Sequence, residues 1–439
     1  MYMKDLLKID FEKFANIVIG SAVIGIAISY WDIYLFHILL SAFLLLTILR
    51  KKNNYQENKI FALKINKILY PFLLAFFWYL TTIMWSVNII YSLKYFFYLF
   101  CGISLVVIIV KYNSSLFSFQ NLFKILSYLV IIELIIGLLE SFSSFQMPIS
   151  RYSELLPFFG KTPQVLEASD ILLSLNSSPP TGFHWDTNEF ALSMMLAAPF
   201  FLCLDRVIIK SLGLASITIV IIMAASRAVF FGLLIIIALY LLLIKKKIKS
   251  LILALLSVVV VLYGMFFLSE SDNPNLNEIA NTINTGYLYL TGDLDVAGSL
   301  KWRRELVDNG INALIESKGL GVGAGGSVHI QEQLGGVDGR FTSMHNFWIE
   351  LLVEGGLIFF ILFICWIINI IIKLFSITIS THNQRIKYFS SSLFLSIVGF
   401  LPAAISSSST IYFFPMWILF GLCLSIIKIS HSDRFFLNT

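Results

Sequence analysis

The sequence predicts an all-α membrane protein with about twelve transmembrane helices, and its composition and hydropathy support this fold class. Hydrophobic residues make up 58% of the 439 residues, charged residues only 13%, and the mean hydropathy is +0.85. A soluble protein of this length needs more charge to cover its surface. The apolar residues also occur in runs of about 17 to 25, long enough to cross a bilayer core of about 30 Å. A β-barrel would show short alternating segments instead.

Twelve apolar runs are the predicted spans. They cover residues 14–30, 32–49, 68–86, 92–110, 122–142, 188–204, 211–225, 228–244, 250–268, 347–372, 388–405 and 410–427. The chain then divides into five regions. These are helices one to five in 1–142, an outer loop in 143–187, helices six to nine in 188–268, a large outer loop in 269–346, and helices ten to twelve with a tail in 347–439.

The distribution of lysine and arginine predicts the orientation of these spans. Basic residues concentrate in the loops after spans two, eight and ten, and such loops face the cytoplasm. With both termini cytoplasmic, 22 of the 31 basic residues lie on the cytoplasmic side and 9 on the other side. The net charge of +5 is therefore explained by membrane topology, and no nucleic-acid partner is predicted. The four cysteines all lie in apolar runs and are predicted to be buried, without disulfides.

The large outer loop is predicted to be partly helical. Leu306, Ile311, Leu314 and Ile315 recur at helical spacing, and the glycines after Lys318 end this helix. A loop of this length is too long to be a passive connection.

Four polar features fall on the outer side of the predicted membrane. The first is the start of span six, where Thr187 or Asn188 can cap the helix. The others are Arg227 between spans seven and eight, the cluster from Lys301 to Glu305, and His345 with Asn346 before span ten.

Each of these features has a structural and a functional interpretation. Arg227 can anchor its helix to lipid headgroups, or it can line a wet cavity. Its small neighbours, such as Ala225 and Ser226, favour close packing at an inward-facing site. Arg303 and Arg304 can form a solvated helix face, and His345 can hydrogen-bond a loop. Together, guanidinium groups that bind phosphate and a histidine that accepts a proton suit a lipid diphosphate and a sugar hydroxyl.

Carboxylates near the histidine are alternative bases. Glu350 and Glu354 share one helix face, up to two turns into the membrane. They are candidate bases, as Glu189 is, or they form a buried polar pair. Asp293 and Asp295 have the spacing of a metal site, which we interpret as a coincidence within a loop. No metal site and no cofactor are predicted.

Several segments resemble the O-antigen ligase and polymerase superfamily, which includes the lipid A core ligase, O-antigen polymerases and teichuronic acid polymerases. The matching pieces occur in family order over about 180–425, and their quoted sequences are "TGFHWDTNEFA", "ASRAVFFG", "WRRELVDNGINALIESKGLGVGAGG", "HNFWIELLVEGGLIFFILF" and "SSSS". The fourth piece is the most specific, and its pattern is closest to teichuronic acid or capsular polysaccharide polymerases.

The resemblance implies an inverting, metal-independent glycosyltransferase similar to the polytopic GT-C class. Its donor would be an oligosaccharide on undecaprenyl diphosphate, and its acceptor a second lipid-linked unit. Membrane lipids and a chain-length regulator protein are the other partners that it implies. The location would be a bacterial inner or cytoplasmic membrane, with the active site on the extracytoplasmic face.

The resemblance also implies roles for individual residues. Arg227 and Arg303 would bind the diphosphate, and His345 would activate the acceptor hydroxyl. Arg303, next to Trp302, fits the family position better than Arg304 does. The remaining candidates for substrate binding are Arg304, Asn188, Glu189, Asn346, Glu350 and Glu354.

Two other functions stay open at this stage. A ligase of the same superfamily would transfer finished glycan to lipid A core or protein, and the sequence pattern barely separates it from a polymerase. A transporter of lipid-linked oligosaccharide would show charges at the membrane midplane and two related halves. Here the charges gather at one face and no repeat is visible, which favours an enzyme.

Overall fold

The computed structural model describes residues 10–53, 67–161, 179–245, 299–336, 342–407 and 411–437. Thirteen α-helices are present in these residues. They are α1 (Phe11–Ile24), α2 (Leu35–Asn53), α3 (Tyr70–Thr82), α4 (Ile89–Tyr112), α5 (Leu116–Phe142), α6 (Thr187–Leu202), α7 (Val207–Met223), α8 (Arg227–Leu239), α9 (Ser299–Glu316), α10 (Gly326–Gln333), α11 (Phe347–Ser380), α12 (Gln384–Ala403) and α13 (Phe414–Leu437). A short antiparallel hairpin, β1 (Ser29–Tyr30) and β2 (Ile33–Tyr34), joins α1 to α2.

The helical membrane class is confirmed. Eleven of the twelve predicted spans coincide with helices, and the ninth, 250–268, lies outside the described residues. Within the described residues, six helices are individually long and apolar enough to cross a membrane: Ile89–Tyr112, Leu116–Phe142, Arg227–Ile244, Phe347–Ser380, Gln384–Ala403 and Phe414–Ser432. The total of twelve spans stays a prediction.

Helix α12 lies at the centre of the bundle, in contact with α6, α8, α11 and α13. Small residues allow this close packing. A Cβ on Gly232 of α8 would come within 2.8 Å of the Gly399 carbonyl oxygen of α12. Ser396 of α12 donates a hydrogen bond to the Leu196 carbonyl of α6 at 2.8 Å. The bundle therefore holds α6, α8 and α12 in a fixed relation.

Helix α11 is broken at Gly356, where the backbone has φ 79° and ψ 168°. The break removes intrahelical donors from the carbonyls just before it. The glycine-rich loop 319–325 supplies replacements, because Val322 N–H donates to Val353 O at 2.9 Å and Gly323 N–H donates to Glu354 O at 3.1 Å. The outer-loop helices α9 and α10 are thereby attached to α11.

The helix predicted from Leu306, Ile311, Leu314 and Ile315 is confirmed as α9, which ends at Glu316 just before the glycines. Its location on the outer side stays a prediction. The prediction that all four cysteines are buried was wrong for Cys365, which is exposed on α11. Cys203 is partly buried, Cys101 and Cys423 are buried, and all four are free.

Candidate active site

The ends of three helices meet at one end of the bundle. Ser226, before α8, donates to the Ser406 hydroxyl after α12 at 3.4 Å. The Phe347 N–H at the start of α11 donates to the Ala404 carbonyl at 3.1 Å, and the Trp348 indole donates to Leu401 O at 2.8 Å. The starts of α8 and α11 therefore flank the end of α12. The charged candidates are carried by these termini and by the segments joined to them.

Asp186 caps α6. Its backbone is extended (φ −119°, ψ 144°), and its carboxylate accepts hydrogen bonds from the Asn188 N–H at 2.7 Å and the Asn188 side-chain amide at 3.0 Å. The expectation that Thr187 or Asn188 caps this helix was wrong, because the carboxylate one residue earlier takes that position. Asn188 lies against Asp186, and Glu189 is buried on the same turn.

Arg227 begins α8 and is exposed to the space at this end of the bundle. Two residues earlier, Ala225 has φ 52°, which directs the chain sharply into the helix. A left-handed conformation costs about 1–2 kcal/mol for a residue with a Cβ. Such strain is found at sites that the surrounding structure fixes for function.

The two arginines of α9 have different surroundings. Burial lowers the pKa of Arg303, the positive charge of Arg227 lowers it further, and Asp186 partly offsets both effects. Arg304 is exposed and lies 3.8 Å from Asp308 on the same helix. Arg303 therefore faces the charged cluster, while Arg304 faces solvent.

His345 sits in a left-handed conformation with φ 44°, immediately before the start of α11. Burial lowers the pKa of His345 to about 4, Asp186 acts in the opposite direction, and the positive charges of Arg303 and Arg151 lower it further. The imidazole is therefore neutral at neutral pH. Asn346 accepts hydrogen bonds from the N–H groups of Trp348 and Ile349, so the predicted cap of this helix is confirmed.

Glu350 and Glu354 lie behind this entrance and before the break in α11, with exposures of 1% and 0%. The Glu354 carboxylate accepts a hydrogen bond of 2.6 Å from the Ser327 hydroxyl of α10. Glu354 thus holds the outer-loop helix against α11. Its role as a substrate-binding residue stays a prediction, as does that of Glu350.

Two members of the cluster were not among the predicted site residues. Arg151, in the outer segment after α5, donates to Asp186 at 2.6 Å. The only sequence signal for Arg151 is a single basic residue on the predicted outer side. Asp186 lies within the segment "TGFHWDTNEFA", directly before Thr187 and Asn188, and its place before the helix is the signal that it could be the cap.

Within the described part of the chain, no group of three or more histidine, cysteine or acidic side chains could hold a metal ion. Asp293 and Asp295 lie outside that part.

Comparison with known proteins adds one match. The O-antigen ligase family, Wzy_C, matches residues 212–364 of the 439. No curated protein matches the chain. The matched segment contains Arg227, Arg303 and His345, whereas Arg151 and Asp186 precede it. The family match confirms the resemblance of this chain to the O-antigen ligase and polymerase superfamily.

Proposed function

We propose that this protein is a polysaccharide polymerase. It would transfer glycan from an undecaprenyl-diphosphate carrier to a sugar hydroxyl of another lipid-linked unit, on the outer face of the cytoplasmic membrane. The observation that carries the proposal is that Arg303, which is partly buried, and His345, which has a left-handed backbone, belong to the same charged cluster as Arg227. Arg303 and His345 come from separate segments, yet the charge of Asp186 acts on both of them, and Arg227 acts on Arg303. Arg227, Arg303 and His345 all lie within the family match.

The reaction is a single displacement at the anomeric carbon. The acceptor oxygen forms a bond to that carbon while the bond to the phosphate oxygen breaks, which inverts the configuration. Negative charge grows on the departing diphosphate, and guanidinium groups fixed in a water-poor site stabilise it. Arg227 and Arg303 supply these groups. A diphosphate is a good leaving group, so no acid and no metal ion are required.

His345 would accept the proton of the attacking hydroxyl. In the unliganded protein its pKa of about 4 makes it a weak base. Binding of an anionic diphosphate would offset the neighbouring arginines and so raise this pKa towards the working pH. Binding of the donor would therefore strengthen His345 as the base that deprotonates the acceptor hydroxyl.

An apolar crevice beside this cluster supports a lipid-linked donor. It is open on one side and lies between α3, α4, α11 and α13. Phe347, two residues after His345, lies at one part of its wall, and Leu74 and Leu362 at another part are about half exposed. Such a crevice can take part of an isoprenoid chain while its diphosphate reaches the arginines.

A ligase is the second candidate, because the matched family carries that description. It would use the same donor site with a lipid A core or protein acceptor. The test incubates purified protein in vesicles with lipid-linked repeat units. A ladder of products on a gel supports the polymerase, and a single shifted band with an added acceptor supports the ligase. Absence of any covalent product from either mixture overturns both.

A further inference from the structure

The outer segment after α5 places a third arginine at the cluster. Arg151 Nη1 lies 2.6 Å from Asp186 Oδ2, and the exposures of the two side chains are 24% and 9%. A short, largely buried ion pair of this kind is held by its surroundings and is not a chance surface contact. The Arg151 guanidinium also lies 5.0 Å from the Tyr152 ring centroid.

A buried carboxylate fixes the position of this segment. Glu140, near the end of α5, accepts hydrogen bonds from Met147 N–H at 3.0 Å, Thr181 N–H at 2.8 Å and Gly182 N–H at 2.7 Å. It therefore ties the beginning of the outer segment to the turn that precedes Asp186. Ile149, buried on the same segment, packs in a small apolar cluster with Ile26. Arg151 is thus presented to Asp186 by a fixed piece of backbone.

Three guanidinium groups and the Asp186 carboxylate lie close enough to one another to act on Arg303 and His345. Arg151, Arg227 and Arg303 supply three guanidinium groups, and Asp186 is the negative group that acts on both Arg303 and His345. The Arg151 Nε–H is buried without a hydrogen-bond partner among the described residues. A buried donor without a partner costs about 1–3 kcal/mol, so an incoming acceptor is favoured there. A diphosphate carries both the charge and the oxygen acceptors that this arrangement lacks.

We propose that Arg151 is a third arginine of the donor diphosphate site, and that Asp186 is an internal anion that pairs with it until the donor arrives. This inference rests on the proposed function, because it assumes a diphosphate donor. Asp186 keeps its bonds to Asn188 at the start of α6 throughout, so only the Arg151 contact is shared with the donor. Asp186 competes with the donor for Arg151, whereas Arg151 contacts the leaving group.

The first experiment measures binding of inorganic pyrophosphate to the purified full-length protein by calorimetry. Arg151→Ala should weaken binding about tenfold or more, as expected for charge-assisted hydrogen bonds. Arg151→Lys keeps the charge and the pairing with Asp186, and it should recover part of the affinity. Lys94→Ala is the matched control. It removes a basic residue of the same predicted outer face that is paired with Asp32 at 3.0 Å, and it should bind as wild type does.

Asp186→Asn tests whether the affinity for pyrophosphate rises or falls when the charge of Asp186 is removed. The amide can still accept the capping hydrogen bond of α6, but it no longer competes with an anion for Arg151 or repels that anion. Pyrophosphate should therefore bind about threefold more tightly or better. Weaker binding by Asp186→Asn would show that Asp186 acts only as a structural anchor, which overturns the inference.

Turnover with lipid-linked repeat units separates the inference from the proposed function. Arg151→Ala should raise the KM for the donor more than it lowers kcat. Wild-type affinity for pyrophosphate in Arg151→Ala, together with lost affinity in Arg303→Ala, would overturn the third arginine and leave the proposed function intact. Absence of pyrophosphate binding by the wild-type protein would overturn both.

Discussion

At the scale of single residues, the surroundings of His345 determine how it can act. His345 has a left-handed backbone, and the side chain of the next residue, Asn346, caps α11. Burial and two arginines keep the imidazole neutral at neutral pH, as a general base requires. The positive end of α11 further favours an anionic donor close by.

His345→Ala should reduce turnover about a hundredfold or more, the usual effect of losing a general base. For the free enzyme, kcat/KM should fall as the pH drops through about 4, because protonation removes the base. His382→Ala is the control, since His382 is exposed between α11 and α12. Steady-state rates with lipid-linked units measure both effects. Near wild-type turnover by His345→Ala would direct attention to Glu189, Glu350 or Glu354 as the base.

The neighbouring arginines of α9 give a paired prediction. Arg303→Ala should reduce turnover and donor binding by at least about tenfold, because the lost charge faces Arg227 and Asp186. Arg304→Ala should have a much smaller effect, since Arg304 is exposed beside Asp308. Initial rates over a range of donor concentrations give the comparison. An effect of Arg304→Ala equal to that of Arg303→Ala would contradict this assignment.

At the scale of elements, the glycine-rich loop packs against the break in α11. Gly321 has φ +84°, and a Cβ there would lie 2.6 Å from both the Glu354 carbonyl oxygen and the Gly356 nitrogen. Gly321 is therefore required for the close approach of two backbones.

Gly321→Ala should lower the stability of the protein by about 2 kcal/mol or more, since backbone strain and an overpacked contact combine. Gly335→Ala is a matched control, because Gly335 also has φ +84° but meets no atom within 4 Å. It should cost only the backbone strain, about 1 kcal/mol. Thermal unfolding in detergent, followed by tryptophan fluorescence, compares the two. Equal decreases in Tm would show that the contact with α11 is unimportant.

At the scale of the whole molecule, the gathering of Arg227, Arg303 and His345 at one end requires that end to face outward for the proposed reaction. Position 335 lies on the same outer-loop region, and position 382 lies between α11 and α12, on the predicted cytoplasmic side. With the four native cysteines replaced, Gly335→Cys should react with an impermeant thiol reagent in intact spheroplasts, and His382→Cys should not. Reversed labelling would overturn the orientation and the outer active site.

Hydropathy predicted the helices well because each span must satisfy its backbone within itself and cover its surface with apolar groups. The same reasoning could not predict Arg151, whose partner lies 35 residues away across an outer segment. It also could not predict the break at Gly356. That break depends on hydrogen-bond donors from a loop that is distant in sequence. Local patterns reveal elements, whereas tertiary contacts decide which polar groups meet.

The break in α11 has a consequence for the order of assembly. Unpaired carbonyls are unfavourable in a bilayer, so the Val353 and Glu354 carbonyls need the outer-loop donors before the helix can bend. We expect α11 to enter the membrane as a straight helix and to bend afterwards, when the loop 319–325 docks. The loop 319–325 and the helices α9 and α10 would then become protease-resistant only after α11 has been inserted. Pulse-chase proteolysis measures this delay, and simultaneous protection and insertion would contradict it.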